Sequence, residues 1–310
     1  MTIRIAIIGF GKIARDQHMP AIAADPRFEL AAVATRAGDP GISVPWFAEA
    51  SDLLAGMKGK LDAVVIATPP GPRFAIAQAA LKEGVAVLLE KPPTATLGEI
   101  DALVRLAEER GVCLYAGWHS QHAPAVAPAA ELLRETGIAS LHITWHEDVR
   151  KWHPEQDWVW EPSGFGVFDP GINALSIATA ILPTPLFVQD ARLEVPEGRQ
   201  TPIAARLTFA GDDHRADFDW RYQDGEEWSI AITTRDGRRI ALCDGGARLV
   251  VDDEEVSVAS VGEYPSIYAR MADHIAAGRV EVDREPLRIT ADTMLVARRE
   301  MVAPFAWNAG

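Results

Sequence analysis

Ile3-Arg-Ile-Ala-Ile-Ile-Gly9-Phe-Gly11-Lys-Ile-Ala14 is the stretch on which the fold of this 310-residue chain turns. An apolar run, Ile3–Ile8, enters Gly-x-Gly-x-x-Ala, and a helical pattern over Lys12–Ala24 follows at once. Strand, glycine turn and helix start in that order suit a dinucleotide pyrophosphate. Gly9 permits the tight turn, Gly11 lets main chain approach the phosphates, and Ala14 lets the helix lie close on the sheet. The helix start adds N–H groups without intrahelical partners and the positive end of the helix dipole. Phe10, Lys12 and Ile13 fall in the same turn and join Gly9 and Gly11 as expected cofactor contacts.

Outward from this turn, strand and helix signals alternate. Apolar runs recur at 28–34, 63–67, 85–89 and 112–116, with helical patterns at 73–83 and 97–110. Apolar strands separated by helices predict a parallel, doubly wound sheet covered on both faces. Pro40, Gly41 and Pro45 leave room for only a short helix in the second crossover. After residue 122 the texture changes. A helix at 124–135 leads to a strand at 140–146, a loop rich in tryptophan and histidine, and a helix at 171–181. Alternating segments then follow at 204–209, 214–220, 228–234, 239–243 and 248–251, separated by turn signals such as Asp224-Gly225 and Asp236-Gly237. The predicted fold class is α/β. A Rossmann domain spans 1–122, and an α+β domain with an open, mostly antiparallel sheet spans 123–310, with 264–278 and 286–301 as its closing helices.

Composition is that of an ordinary globule, 48% hydrophobic and 24% charged. A formal net charge of −14 argues against nucleic acid or an anionic membrane as a main partner. The apolar stretch 172–188 is interrupted by Asn173, Ser176, Thr179, Pro183 and Pro185, so it is no membrane span. The amino-terminal apolar stretch reads as the first strand, not a leader. Cys113 and Cys243 stand far apart without metal-ligand spacing; a cytoplasmic protein with reduced thiols and no metal is the expectation.

The second strand ends at Thr35-Arg36, roughly twenty residues past the glycine turn, where this fold contacts the cofactor ribose. A hydroxyl and a guanidinium there suit a 2′-phosphate, and no carboxylate repels it. Arg36 also fits a solvated surface residue, so NADP is expected with NAD as a second cofactor. Thr68-Pro69-Pro70 ends the next strand and either borders the nicotinamide ribose or forms a simple turn. Leu88-Leu89-Glu90-Lys91-Pro92-Pro93 brings an acid and a lysine to a strand's carboxyl end. They form a surface ion pair, or Glu90 serves the cofactor while the Lys91 ammonium meets a substrate oxygen.

Glu90-Lys91-Pro92 after a Rossmann half, with Thr68-Pro69-Pro70 before it, resembles the glucose–fructose oxidoreductase/inositol dehydrogenase (Gfo/Idh/MocA) family. Longer strings at 12–20, 117–120, 145–154 and 158–173 extend the resemblance over essentially the whole chain, toward bacterial aldose 1-dehydrogenases. The resemblance implies NAD(P)-dependent oxidation of an aldopyranose, D-galactose or L-arabinose, to its lactone without a metal. It also implies catalytic roles for Lys91 and Asp169, and a sugar pocket lined by His119, Glu147, Trp152, His153, Asn173 and Trp228. The family's Asp-x-Gly-x-His reads here Asp169-Pro-Gly171-Ile-Asn173. Asparagine does not titrate near neutral pH, which moves proton acceptance to Asp169. Asp169-Pro170 equally has the form of a helix N-cap followed by proline. Two other functions remain open: a dinucleotide-binding sensor without turnover, and a family oxidoreductase acting on another polyol or sugar. Arg73 receives no role. The open sheet predicts a homodimer.

Overall fold

The computed structural model describes residues 2–307. It divides into two compact units, one holding residues up to His119 together with Gly262–Arg284, the other Ser120–Val261 and the residues from Glu285 onward.

Among the described residues of the first unit, seven strands form a sheet in the order Val280–Glu281, Leu114–Gly117, Ala86–Glu90, Ala63–Ile66, Ile3–Ile8, Phe28–Ala34, Trp46–Phe47. Every pairing is parallel. Ala63–Ile66 is buried at each position, as a central strand covered on both faces must be. The helix after the glycine turn is interrupted by a π-helical turn, Ala14–His18, before continuing as Met19–Ala24. The short second crossover is confirmed by the two-residue strand Trp46–Phe47 and the helix Ala50–Gly56.

Past the boundary expected at 122, the chain returns to the first unit over Gly262–Arg284. Helix Glu263–Ala277, expected to close the second sheet, instead buries Tyr264, Ile267, Tyr268 and Met271 in the first unit's core beside Ile5, Val33 and Tyr115. Its apolar stripe finds a core there, and Val280–Glu281 then extends the first sheet alongside Leu114–Tyr115.

In the second unit, nine described strands run in the order Glu254–Val256, Arg248–Val251, Arg239–Cys243, Glu227–Thr234, Ile138–His146, Asp213–Asp219, Ala204–Phe209, Val188–Pro196, Arg298–Val302. Two pairings are parallel, Ile138–His146 with Asp213–Asp219 and Val188–Pro196 with Arg298–Val302; the others are antiparallel. Alternation sends Leu141, Ile143, Trp145, Ala216 and Phe218 inward and leaves ion pairs such as His142–Asp213 and His146–Asp217 on the other face. Helix Phe168–Ile181 covers the apolar side. A Cβ on Gly171 would lie 3.1 Å from the Phe218 ring, so glycine sets how closely this helix approaches the sheet. The expected helix 286–301 ends at Val296, and Arg298–Val302 is an edge strand whose charged side chains discourage further pairing. No helix among the described residues is long and apolar enough to cross a membrane.

Candidate active site

The first unit supplies the glycine turn. Gly9 has φ +94°, and a Cβ there would fall 2.6 Å from the main chain of Ala67 and Thr68, so only glycine fits. A Cβ on Gly11 would meet nothing within 4 Å, leaving main chain beside open space at the start of the helix. That opening fits the close approach of a pyrophosphate. The Phe10 ring is buried in the core with the Arg15 guanidinium 4.6 Å above it, so the residue offers a ligand only main chain. Lys12 pairs with Asp16 at the surface, and Ile13 is exposed. The Thr35 hydroxyl accepts from the Ala37 N–H at 3.2 Å, and Arg36 is exposed beyond it.

Pro69 caps and Pro70 opens helix Pro70–Lys82. From the first turn of that helix, buried Arg73 donates to the Thr68 carbonyl (Nε, 2.8 Å) and to the carbonyls of Glu90 and Pro92. The residue without a sequence assignment therefore ties together the carboxyl ends of two neighbouring strands.

The Glu90 carboxylate turns inward and is 4% exposed. Oε1 accepts from His18 Nε2 at 3.0 Å and from the Tyr264 hydroxyl at 2.8 Å; Oε2 accepts from the Lys91 N–H at 3.0 Å. Burial alone would raise this carboxyl, but the His18 bond and the positive fields of His18, His119 and Arg73 hold it at about 2. His18 Nδ1 in turn meets the Tyr268 hydroxyl at 2.9 Å. His119 bonds Glu263 at 2.8 Å and stacks on Tyr264 at 5.8 Å. His18, Tyr264 and Tyr268 were not found by sequence reasoning. His18 was visible within the string 12–20, but its partner Tyr264 lies far away along the chain.

In the second unit, most of the proposed sugar contacts gather into one cluster. Asp169 is 5% exposed, and its Oδ2 lies 3.0 Å from His153 Nε2. The alternative of an N-cap is overturned: the helix begins at Phe168 with Val167 as N-cap and no side-chain capping bond. The positive-φ residues Phe165 and Gly166 start the turn early, and their carbonyls accept from the N–H groups of Phe168 and Asp169. Asn173 follows one turn later on the same face, and its Oδ1 is buried with no hydrogen-bond partner among the described residues. The His153 ring lies 5.5 Å from Trp220, whose indole donates to Glu147 at 3.2 Å. Trp228 donates to the other Glu147 oxygen at 3.0 Å, and half-exposed Trp152 packs against Trp228 at 5.6 Å. Trp220 was missed because it ends an ordinary-looking strand. Lys91 and His119 belong to the first unit. No group of three His, Cys, Asp or Glu suited to a metal occurs among the described residues.

Residues 3–118 match the Gfo/Idh/MocA model of an oxidoreductase family with an NAD-binding Rossmann fold. Over 306 residues, 98% of each chain, the protein is 44% identical to galactose 1-dehydrogenase of Pseudomonas fluorescens. The crystal structure of D-galactose-1-dehydrogenase from Rhizobium etli matches with a TM-score of 0.91 at 45% identity, again over 98% of both chains. A 3-ketoreductase from Actinomadura kijaniata, solved with NADP and TDP-benzene, shares the fold at a TM-score of 0.83 and 19% identity.

Proposed function

Because this chain belongs to the Gfo/Idh/MocA oxidoreductase family, we propose that it oxidises an aldopyranose, D-galactose or L-arabinose, at the anomeric carbon to the lactone. The observation that carries this reading is the 44% identity to a galactose 1-dehydrogenase along 98% of both chains, since a Rossmann half alone names no substrate. The cluster around Asp169 agrees with it. A buried Asn173 Oδ1 without a donor is costly, and a sugar hydroxyl would satisfy it. Trp152 and Trp228 offer flat apolar faces to the C–H side of a pyranose, with Glu147 beside them as an acceptor.

Asp169 takes the proton of the anomeric hydroxyl, held in one orientation by His153. The Lys91 ammonium, from the first unit, supports negative charge developing on a substrate oxygen. A bound nicotinamide dinucleotide would supply the hydride acceptor. The main chain at Gly9 and Gly11 and the helix start would hold its pyrophosphate, with Thr68, Pro69 and Pro70 beside the nicotinamide ribose. Thr35 and Arg36 would meet a 2′-phosphate, which favours NADP and leaves NAD usable. A homodimer through the open sheet face completes the reading; a monomer by light scattering at assay concentration would remove that part.

The decisive experiment is a steady-state panel of D-galactose, L-arabinose, D-glucose and myo-inositol with each cofactor. The expected outcome is lactone formation with the first two sugars and a preference for NADP that falls in Arg36→Ala. Absence of reduced-nicotinamide absorbance with every aldose sinks the proposal.

A further inference from the structure

We propose that His18 and Tyr264 are positioning residues for Lys91, acting through the buried Glu90 carboxylate. The inference rests on the role given to Lys91 above. Glu90 is the last residue of its strand and is 4% exposed, so its charge exists only because donors meet it. An ionised carboxylate only accepts, which assigns both the His18 Nε2–H and the Tyr264 hydroxyl as donors to Oε1. The second oxygen, Oε2, is then held toward the Lys91 N–H. Two side chains fix one carboxylate oxygen, and the other fixes the main chain of the residue bearing the ammonium.

The backbone is built around this contact. His18 closes the π-helical turn Ala14–His18 and is 1% exposed. One extra residue in a helical turn rotates every later side chain by about 100° relative to a regular helix, and such turns recur at functional sites. Here the turn ends with His18 directed at Glu90, and its other nitrogen is held by Tyr268. Tyr264 and Tyr268 come from Glu263–Ala277, the segment that returns to the first unit after the chain has built the second sheet. A helix needed only for packing would bury apolar residues; this one also spends two buried hydroxyls on the His18–Glu90 pair.

The test is a double-mutant cycle on the full-length protein, assayed with D-galactose and NADP. Tyr264→Phe and His18→Ala should each lower kcat about tenfold, the scale of one hydrogen bond to a charged group, with both KM values moving less than about threefold. Added to Lys91→Ala, neither should reduce the residual rate further, because residues acting through one group are not additive. Multiplicative losses in the double variants would show general destabilisation and overturn the inference while leaving the role of Lys91 standing. A wild-type kcat in Tyr264→Phe, the variant that preserves ring packing, overturns it as well. A wild-type rate in Lys91→Ala alone removes the role of Lys91 and this inference with it.

Discussion

Glu90 in the first unit and Glu147 in the second are buried to nearly the same degree, 4% and 3% exposed, but different donors meet their oxygens. Glu90 takes an imidazole N–H, a phenol and a main-chain amide. Glu147 takes two indole N–H groups, from Trp220 and Trp228. Both solve the same problem, since a carboxylate removed from water must recover its hydrogen bonds inside the protein. The solutions have different consequences. The donors to Glu90 lock a strand end beside a cation. The donors to Glu147 bring large flat rings with them: Trp220 is wholly buried, and Trp228, half-buried, keeps part of its ring at the surface beside the carboxylate.

The sharpest way to break this contrast is at the chemistry itself. Asp169→Ala and Lys91→Ala should each lower kcat by at least about a hundredfold, the usual scale of general acid–base loss. A rate within a few-fold of wild type for either variant removes that residue from the mechanism. Next in size is a glycine pair from one turn. Gly9→Ala places a methyl 2.6 Å from main chain at a positive φ, a strain of about 1–3 kcal/mol before any clash is relieved. Its Tm should fall by several degrees. Gly11→Ala meets nothing within 4 Å and should leave Tm unchanged while raising the KM for the dinucleotide. Equal Tm losses for the two would deny Gly11 its assignment to the phosphates.

The two halves of the molecule were not equally legible in sequence. The strand–turn–helix at Ile3–Ala14 was readable because its causes are local: Gly9 and Gly11 act on main chain within the turn. Glu90-Lys91 read either as a surface ion pair or as a cofactor contact beside a substrate contact, and the inward direction of the Glu90 carboxylate depends on Tyr264, 174 residues along the chain. Periodicity also misplaced the helix bearing Tyr264, because an amphipathic stripe states that a helix needs a core and not which core. The π turn that aims His18 leaves the same apolar spacing as a regular helix. At Asp169, Asp-Pro has the local form of a cap, whereas Phe165 and Gly166 start the helix earlier through positive φ values that residue type alone does not announce.

Acid sharpens the comparison from the other side. The Glu90 carboxyl is depressed in the folded chain, from 4.5 to about 2, so its contribution is full above the unfolded value and is lost as pH falls through that interval. Glu90→Gln should therefore be less stable than wild type at neutral pH, and the gap in Tm should narrow as pH drops below about 4.5. A gap that stays constant down to the acid limit of folding would mean the charge at Glu90 contributes nothing.

The smallest effect is expected at the indole wall. Trp228→Phe keeps an aromatic face but deletes the N–H that meets Glu147 Oε2 at 3.0 Å. Trp220 still serves the other oxygen, and Trp228 is only half-buried, so water can replace part of the loss. A cost of about 1 kcal/mol follows, equivalent to a Tm decrease of about 2 °C in a chain of this size. Sugar KM should rise by a few-fold with kcat nearly unchanged, because the ring contributes to binding substrate and transition state alike. A large kcat loss with unchanged KM would instead place Trp228 among the groups acting on the transition state, and the division between a locking carboxylate and a recognising one would no longer hold.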